Sequence, residues 1–280
     1  MRSWLKHWRD RLTSQRASTV EVQSIFGPIT AFAGDFATRQ IEQFGAHTRN
    51  EVALLRNFVK AGDLIYDVGA HIGTFAIPLA ITAGENGQVI AIEADADNFA
   101  LLRQNLDSSG LHSRVAPYLG IAGGRDISYR RVRDARHTSA TYFLPDAKGV
   151  AMQVIVLDDL ADRSSPPRRV AMIKIDVEGM ELAVLRSAAK TIARDRPVLY
   201  VEISITQMAR YGVTLPEVAT FLAPYDYRCF RNIGDRNSSH EAFELVELGD
   251  LHDGGEFYDL LAVPADRIAT FATLAPFAKR

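Results

Sequence analysis

Cysteine is nearly absent: Cys229 is the only one in 280 residues. One thiol cannot close an internal disulfide, so nothing points to an oxidising compartment, and it cannot build a thiolate zinc cluster. With no partner motif it reads as a small core residue. Long apolar runs are also missing. None approaches the ~18 residues of a membrane-spanning helix, and no continuous apolar stretch follows the basic N-terminus as in a secretory signal. The expected compartment is cytoplasmic. Charge of one sign is lacking too: 32 Lys and Arg against 34 Asp and Glu give a net charge of −2. That excludes a globally basic nucleic-acid binder, though not a local basic patch. Repeats and low-complexity tracts are absent. The composition, 47% apolar and 24% charged, is that of a soluble globular chain and excludes disorder, collagen and coiled coil.

The near-neutral total is unevenly placed. Residues 1–20 carry Arg2, Lys6, Arg9, Arg11 and Arg16 against Asp10, a net of +4, and the rest carries −6. Trp4, Leu5, Trp8 and Leu12 fall on one stripe of a helix. An amphipathic helix and lead-in over 1–50, ahead of one domain over 51–280, is expected. Such a helix packs against the domain or a second subunit, so a homo-oligomer is expected; weak peripheral contact with an anionic membrane surface is the other use of a basic, Trp-bearing helix.

Short apolar runs alternate with helical patterns through the middle. Leu64–Val68, Gln88–Glu93, Val170–Asp176 and Pro197–Ile203 read as strands apolar throughout, as for strands buried on both faces. Between them, Phe75–Ala83, 97–108 with Asp97 as cap, and 180–193 with Met180, Leu182, Leu185, Ala189 and Ile192 on one face read as helices. That alternation implies a parallel sheet with right-handed crossovers. Residues 124–157 break the rhythm as an antiparallel hairpin insertion (strands Ile127–Val132, Thr138–Leu144, Ala151–Leu157) carrying Arg125, Arg130, Arg131, Arg133 and Arg136. Further on, a helix at 215–223 entered at Pro216 and strands Tyr227–Ile233 and Phe257–Val263 are expected.

Asp67-Val68-Gly69-Ala70-His71-Ile72-Gly73 lies between a strand and a helix. Glycines there allow a sharp turn and close approach of a ligand, and the helix start offers free N–H groups. Glu93, ending the next strand, stands where a carboxylate accepts from ribose hydroxyls. A dinucleotide turn wants G-x-G-x-x-G; this one is G-x-x-x-G, with His71 in place of the second glycine. Asp67 beside the turn suits a cationic ligand and would repel a pyrophosphate. S-adenosylmethionine, with its amino group and sulfonium, is therefore favoured over a nicotinamide cofactor. Asp67, Gly69, Ala70, His71, Gly73 and Glu93 are the expected cofactor-binding residues.

The 67–73 segment resembles the D-V-G-A-N-x-G motif of FkbM-type methyltransferases. Glu93 with Asp97-Asn98-Phe99 and Leu102 to Leu106 resembles that family's E-P-x-x-x-N-F-x-x-L-x-x-N stretch. Leu157-Asp158-Asp159-Leu160 is similar to its L-D-D-L signal, Ile173 to Glu181 to its I-K-I-D-V-E-G-x-E motif, and Arg196-Pro197 through Glu202 to its R-P-x-x-x-x-E strand. His71 replaces the usual asparagine and Ala94 the usual proline. The resemblance spans roughly 60–265. It implies an α/β, Rossmann-like class I methyltransferase fold: a mostly parallel seven-stranded sheet with an antiparallel last strand, here with the β-hairpin insertion. It also implies methyl transfer to oxygen, often on sugars or natural-product hydroxyls.

A hydroxyl acceptor must lose a proton, so a carboxylate or histidine is expected at the strand ends. Asp176, Glu178 and Glu202 are placed to converge there and are the expected catalytic residues. Glu178 and Glu181 also suit the start of the following helix. The same oxygens suit Mg²⁺, but no dedicated metal motif is present and no metal is assigned. Arg136 and His137 in the insertion and His240 in the Ser238-Ser239-His240 loop are assigned to the acceptor, the histidines as alternative bases and the arginines for an anionic group. The expected activity is S-adenosylmethionine-dependent O-methylation of a small-molecule or carbohydrate hydroxyl, in sugar, glycoconjugate or natural-product chemistry. The alternatives are an RNA methyltransferase, a nicotinamide-dependent oxidoreductase and a non-catalytic binding module. Nucleic acid is not expected as a partner, because no RNA-binding module is recognisable.

Overall fold

The computed structural model describes residues 18–134, 137–161, 168–238, 241 and 243–271. The amphipathic helix expected in the first 17 residues lies outside them.

The chain enters as a hairpin of β1 (Thr19–Ser24) and β2 (Gly27–Phe32), then α1 (Phe36–Phe44) and α2 (Arg49–Arg56). The strand–helix alternation follows: β3 (Leu64–Val68), α3 (Ala76–Ala83), β4 (Gln88–Glu93), α4 (Ala96–Ser108) and β5 (Val115–Leu119). The insertion holds β6 (Ile121–Ala122), β7 (Ser128–Asp134), β8 (His137–Pro145), β9 (Val150–Ala151), β10 (Val154–Ile155) and α5 (Leu157–Ala161). Next come β11 (Val170–Ile175), α6 (Glu181–Ser187), α7 (Ala189–Asp195), β12 (Val198–Ser204), α8 (Ile205–Ala209) and α9 (Leu215–Leu222). The last elements are β13 (Tyr227–Asn232), β14 (Leu245–Glu247), β15 (Phe257–Pro264) and α10 (Ile268–Phe271).

Among the described residues the main sheet has eight strands in the order β14-β13-β15-β12-β11-β3-β4-β5. The five from β12 to β5 are parallel, and β15 runs antiparallel to β12, as expected. The expected seven strands gain an eighth, β14, paired antiparallel to the edge of β13. Every residue of β3, β11 and β12 is buried. Their side chains alternate between two cores. Leu64, Tyr66 and Val68 pack on one face with Leu182 and Leu185; Ile65 packs on the other with Leu54, Leu79 and Leu102. Helices on both faces are why these strands read as apolar throughout.

Several expected details shift. Asp95, not Asp97, caps α4: its Oδ1 accepts from the N–H groups of Asp97 and Asn98 at 2.9 and 3.0 Å. The expected helix over 180–193 is two, broken at Ala188 (φ −109°, ψ 12°). The break keeps Leu182, Leu185, Ala188 and Ile192 all in one core. The expected third insertion strand divides. Val150–Ala151 pairs with β7, Val154–Ile155 pairs parallel with β6, and Leu157 already opens a helix.

The lead-in folds onto the site. Val22, Ile29, Phe32 and Ile41 share a core with Ile72 of the glycine turn and Leu101 of α4. Asn105, fully buried, links all three by donating to Ile72 O and Thr30 O and accepting from Thr30 N. Asp35 Oδ1 accepts from Thr138 N of β8 at 2.7 Å. The boundary expected at 50/51 falls inside α2. No helix among the described residues is long and apolar enough to cross a membrane.

Candidate active site

The glycine turn leaves β3 where the neighbouring strand tip presses on it. Gly69 has φ +80°, and a Cβ there would stand 1.8 Å from the backbone oxygen of Asp176. Only glycine suits that place. Asp176 N in turn donates to Val68 O at 3.0 Å. The N–H groups of Gly69 and Ala70 both donate to Ile92 O at 2.9 Å. His71 also has positive φ, 52°, a conformation in which histidine and asparagine are enriched among residues other than glycine, so either fits the motif. Its N–H donates to Glu93 Oε2 at 2.7 Å, and its Nε2 lies 2.9 Å from Thr138 Oγ1.

Glu93 is 7% exposed. Its Oε1 accepts from Asp95 N at 2.8 Å, so both oxygens are tied to backbone. Burial pushes its carboxyl up to about 7, opposed by those bonds. The carboxylate therefore shapes the turn as well as facing the cleft.

The cleft is narrow, with a cavity volume of about 60 Å³. Its walls include His47, Gly69, His71, Thr74, Phe75, Glu93, Asn98, Thr141, Phe143, Lys174, Asp176, Glu178 and Met180. Lys174 is nine-tenths and more buried on β11. Its Nζ donates to Gly69 O at 2.9 Å and lies 3.4 Å from both Asp67 Oδ1 and Asp176 Oδ2. It also sits over the Phe75 ring at 5.0 Å. Burial alone would lower the ammonium; Asp176 and Asp67 override it and hold it charged. Burial works equally against an ionised Asp176, but Lys174 and then Arg236 hold that carboxyl below its ordinary value. Asp67, fully buried, is pushed up by burial and held back by Lys174. His47 is kept neutral, pushed down to about 3 by burial and by His71 and Arg236.

Three carboxylates meet beside Lys174. One oxygen from each of Asp176, Glu178 and Glu202 lies within 4.8 Å of the others. Glu178 follows the tip of β11 at φ 61° and accepts from Gln207 Nε2 on Oε2. Burial and then Asp176 push it up to about 8. Glu202 lies near the end of β12 and is 8% exposed. Burial, Asp176 and Asp259 push it well above the ordinary carboxylate range. Asp259 is its partner across β15 and pairs with Arg236 at 3.1 Å.

The structure thus brings the three expected catalytic carboxylates together. Of the expected cofactor residues, Gly69, His71 and Glu93 face the cleft. Asp67, Ala70 and Gly73 lie behind the wall: Asp67 supports Lys174, Ala70 packs into the core, and Gly73 N donates to Ala70 O. Asp67 is fully buried, and the cation beside it is Lys174. Arg136 and His240 lie outside the described residues; His137 is placed by its backbone alone, opposite Asp134. The insertion's arginines are largely committed elsewhere. Arg131 and Arg133 pair with Asp95 and Asp97, the closest contacts at 2.8 and 2.7 Å, and Arg130 pairs with Asp146 at 3.2 Å. Sequence reasoning missed Lys174 and His47. Lysine inside an otherwise apolar strand was the available signal, because buried lysine is rare unless paired. His47 lies in the lead-in and had none.

The chain matches the family model described as the methyltransferase FkbM domain over residues 67–229, more than half its length. No curated protein matches it. Among solved structures it is similar to the methyltransferase FkbM of Methylobacillus flagellatus KT, at 21% identity and TM-score 0.41, covering 73% of this chain and 44% of that one. It is also similar to precorrin-6y C5,15-methyltransferase of Geobacter metallireducens GS-15, at 12% identity and TM-score 0.45, covering 78% and 89%. A third is the O-methyltransferase of Bacillus cereus in complex with SAH, at 14% identity and TM-score 0.42, covering 76% and 79%. The family match covers the glycine turn, Glu93, Lys174, Asp176 and Glu202 alike, and the chain belongs to the FkbM methyltransferase family.

Proposed function

We propose that this S-adenosylmethionine-dependent methyltransferase methylates a hydroxyl oxygen, on a sugar, a glycoconjugate or another natural product. The observation that carries the reading is the meeting of Asp176, Glu178 and Glu202 within 4.8 Å, at the strand ends beside the glycine turn. A hydroxyl needs such a group to draw off its proton; a sulfonium methyl needs only alignment with the oxygen that attacks it.

The cleft suits the cofactor. Gly69 and Asn98 lie on its wall, and Asn98 Oδ1 is buried without a donor. Glu93 and Asn98 would hold the nucleoside end, with Gly69 and His71 lining its approach. When bound, the cofactor supplies an electrophilic methyl on sulfur. Lys174 fixes Asp176 against Gly69, so the carboxylate is aimed before the acceptor arrives. Asp176, held ionised by Lys174, orients the acceptor hydroxyl and takes its proton as the new C–O bond forms and the methyl's bond to sulfur breaks, with Glu178 and Glu202 beside it. The acceptor need not be anionic, since three of the insertion's arginines are already paired. The same pairing withdraws support for an RNA acceptor.

Isothermal titration with S-adenosylhomocysteine tests the first half: binding is expected, and a folded protein that binds none overturns it. Transfer of labelled methyl to a panel of hydroxyl acceptors tests the second. Asp176→Ala should abolish transfer and leave S-adenosylhomocysteine binding in place; full activity would refute its role.

A further inference from the structure

The tips of β11, β12 and β15 hold more acceptor oxygen than the protein's own donors satisfy. Asp67, Asp176, Glu178, Glu202 and Asp259 gather around two cations, Lys174 and Arg236. Lys174 engages Oδ2 of Asp176, and Arg236 engages Oδ2 of Asp259. Glu202, more than nine-tenths buried, has an Oε2 with no hydrogen-bond partner. Gln207 gives its amide N–H to Glu178, yet its own Oε1 is buried and also without a donor. Two orphaned acceptors beside three carboxylates call for a positive partner, because a buried acceptor left unpaired is costly.

We infer that Asp176, Glu178 and Glu202 form a binding site for a hard divalent cation of the Mg²⁺ and Mn²⁺ class. All the donors are oxygens, the set that selects such ions over thiolate- or imidazole-seeking metals. The spacing is within reach of one ion. Around an octahedral Mg²⁺, neighbouring ligand oxygens stand about 3 Å apart and opposite ones about 4.2 Å, from a metal–oxygen distance of about 2.1 Å. The three carboxylate oxygens here lie within 4.8 Å of one another, so inward rotation of these side chains brings them around one ion. Asp176 is a third exposed, which leaves one side open to water and to an acceptor oxygen. The site deepens the methyl-transfer reading and rests on it for its use: an ion there would orient the acceptor hydroxyl and make it more acidic. Its existence is independent of that reading.

Metal-stripped full-length protein, with and without S-adenosylhomocysteine, is titrated with MnCl₂ and followed by the electron paramagnetic resonance of free Mn²⁺. Stoichiometric loss of the free signal, reversed by MgCl₂, is expected. Glu202→Gln should weaken Mn²⁺ binding by on the order of tenfold or more while circular dichroism stays native. If that variant does not fold, Glu178→Gln should show the same loss. Folded wild-type protein that binds no Mn²⁺ at millimolar concentration, or binding unchanged in both variants, overturns the site. Such a result with S-adenosylhomocysteine still bound leaves the methyltransferase reading standing. Conversely, protein that binds Mn²⁺ but takes up no S-adenosylhomocysteine keeps the cation site and overturns the methyl-transfer reading.

Discussion

Glu93 and Glu202 are the same residue type, lie at or near the ends of parallel strands of the same sheet, and are 7% and 8% exposed. Their surroundings differ. Both oxygens of Glu93 accept from backbone N–H groups, and its carboxyl rises only to about 7. Glu202 keeps an unpartnered oxygen among other carboxylates and is pushed well above its ordinary value. In the half of the cleft around Glu93 the carboxylate is satisfied by the protein's own backbone, and Asn98 Oδ1 is left to a ligand. The other half concentrates unsatisfied acceptors, which is what a site awaiting a ligand looks like. The halves meet at Gly69, whose carbonyl receives Lys174 and whose Cα faces the carbonyl of Asp176.

That joint is where the largest effect is expected. Gly69→Ala places a methyl 1.8 Å from Asp176 O at a φ of +80°. The loss should exceed about 4 kcal/mol, in the class of severe single substitutions, and urea unfolding should register it. A loss under 1 kcal/mol, on the scale of ordinary surface substitutions, would mean that the two halves are not in register as described. Lys174→Met comes next. It strips the cation from Asp67 and Asp176, and leaving a buried charge unpaired costs about 3–5 kcal/mol at most sites. The value here should sit near about 3, because Asp67 is already pushed toward its neutral form. Adding Asp67→Asn should recover part of it; no recovery would show that the pair is not coupled.

Glu93 gives the pH test. Its folded value, about 7, exceeds the ordinary 4.5. Its contribution to stability is therefore present below 4.5 and is lost as pH rises through about 7. Cofactor affinity should run the other way. Ribose hydroxyls donate to the ionised form, so S-adenosylhomocysteine affinity should climb toward neutrality by up to about tenfold per pH unit and level off above about 7. Calorimetry on Glu93→Gln should give a flat profile. An unchanged slope would move the titrating group elsewhere.

Much of this was legible in the sequence because burial on both faces leaves a mark. The apolar runs at Leu64–Val68 and Val170–Ile175 announced the parallel sheet, and the acids ending them announced the cleft. What stayed hidden was side-chain destination. Asp67 and Asp176 look alike as strand-ending acids, yet one lies behind the wall and the other on it. Lys174, between them in space, decides the difference. Asp95 and Asp97 are two residues apart, and only the entry of α4 tells which one caps it. The short strand β14 pairs at an open edge, where a three-residue run carries too little period to read.

The hairpin arginines supply the smallest and sharpest case. Arg131 read as a candidate for an anionic acceptor, but its guanidinium reaches Asp95 at 2.8 Å and Asp97 at 3.0 Å. Those two acids sit at the start of α4, immediately after the Glu93 half of the cleft. With 40% of its side chain exposed, solvent screens the pair. Arg131→Ala should cost less than about 1 kcal/mol, as exposed ion pairs do. Asp95 is fully buried and would still hold its two backbone donors, so the cap survives the loss. The acceptor's KM should not change, because the guanidinium is engaged away from the carboxylates. A severalfold rise in KM with unchanged thermal stability would reassign Arg131 to the acceptor. It would also make the Glu93 half of the cleft, rather than the acidic half, the side that chooses the substrate.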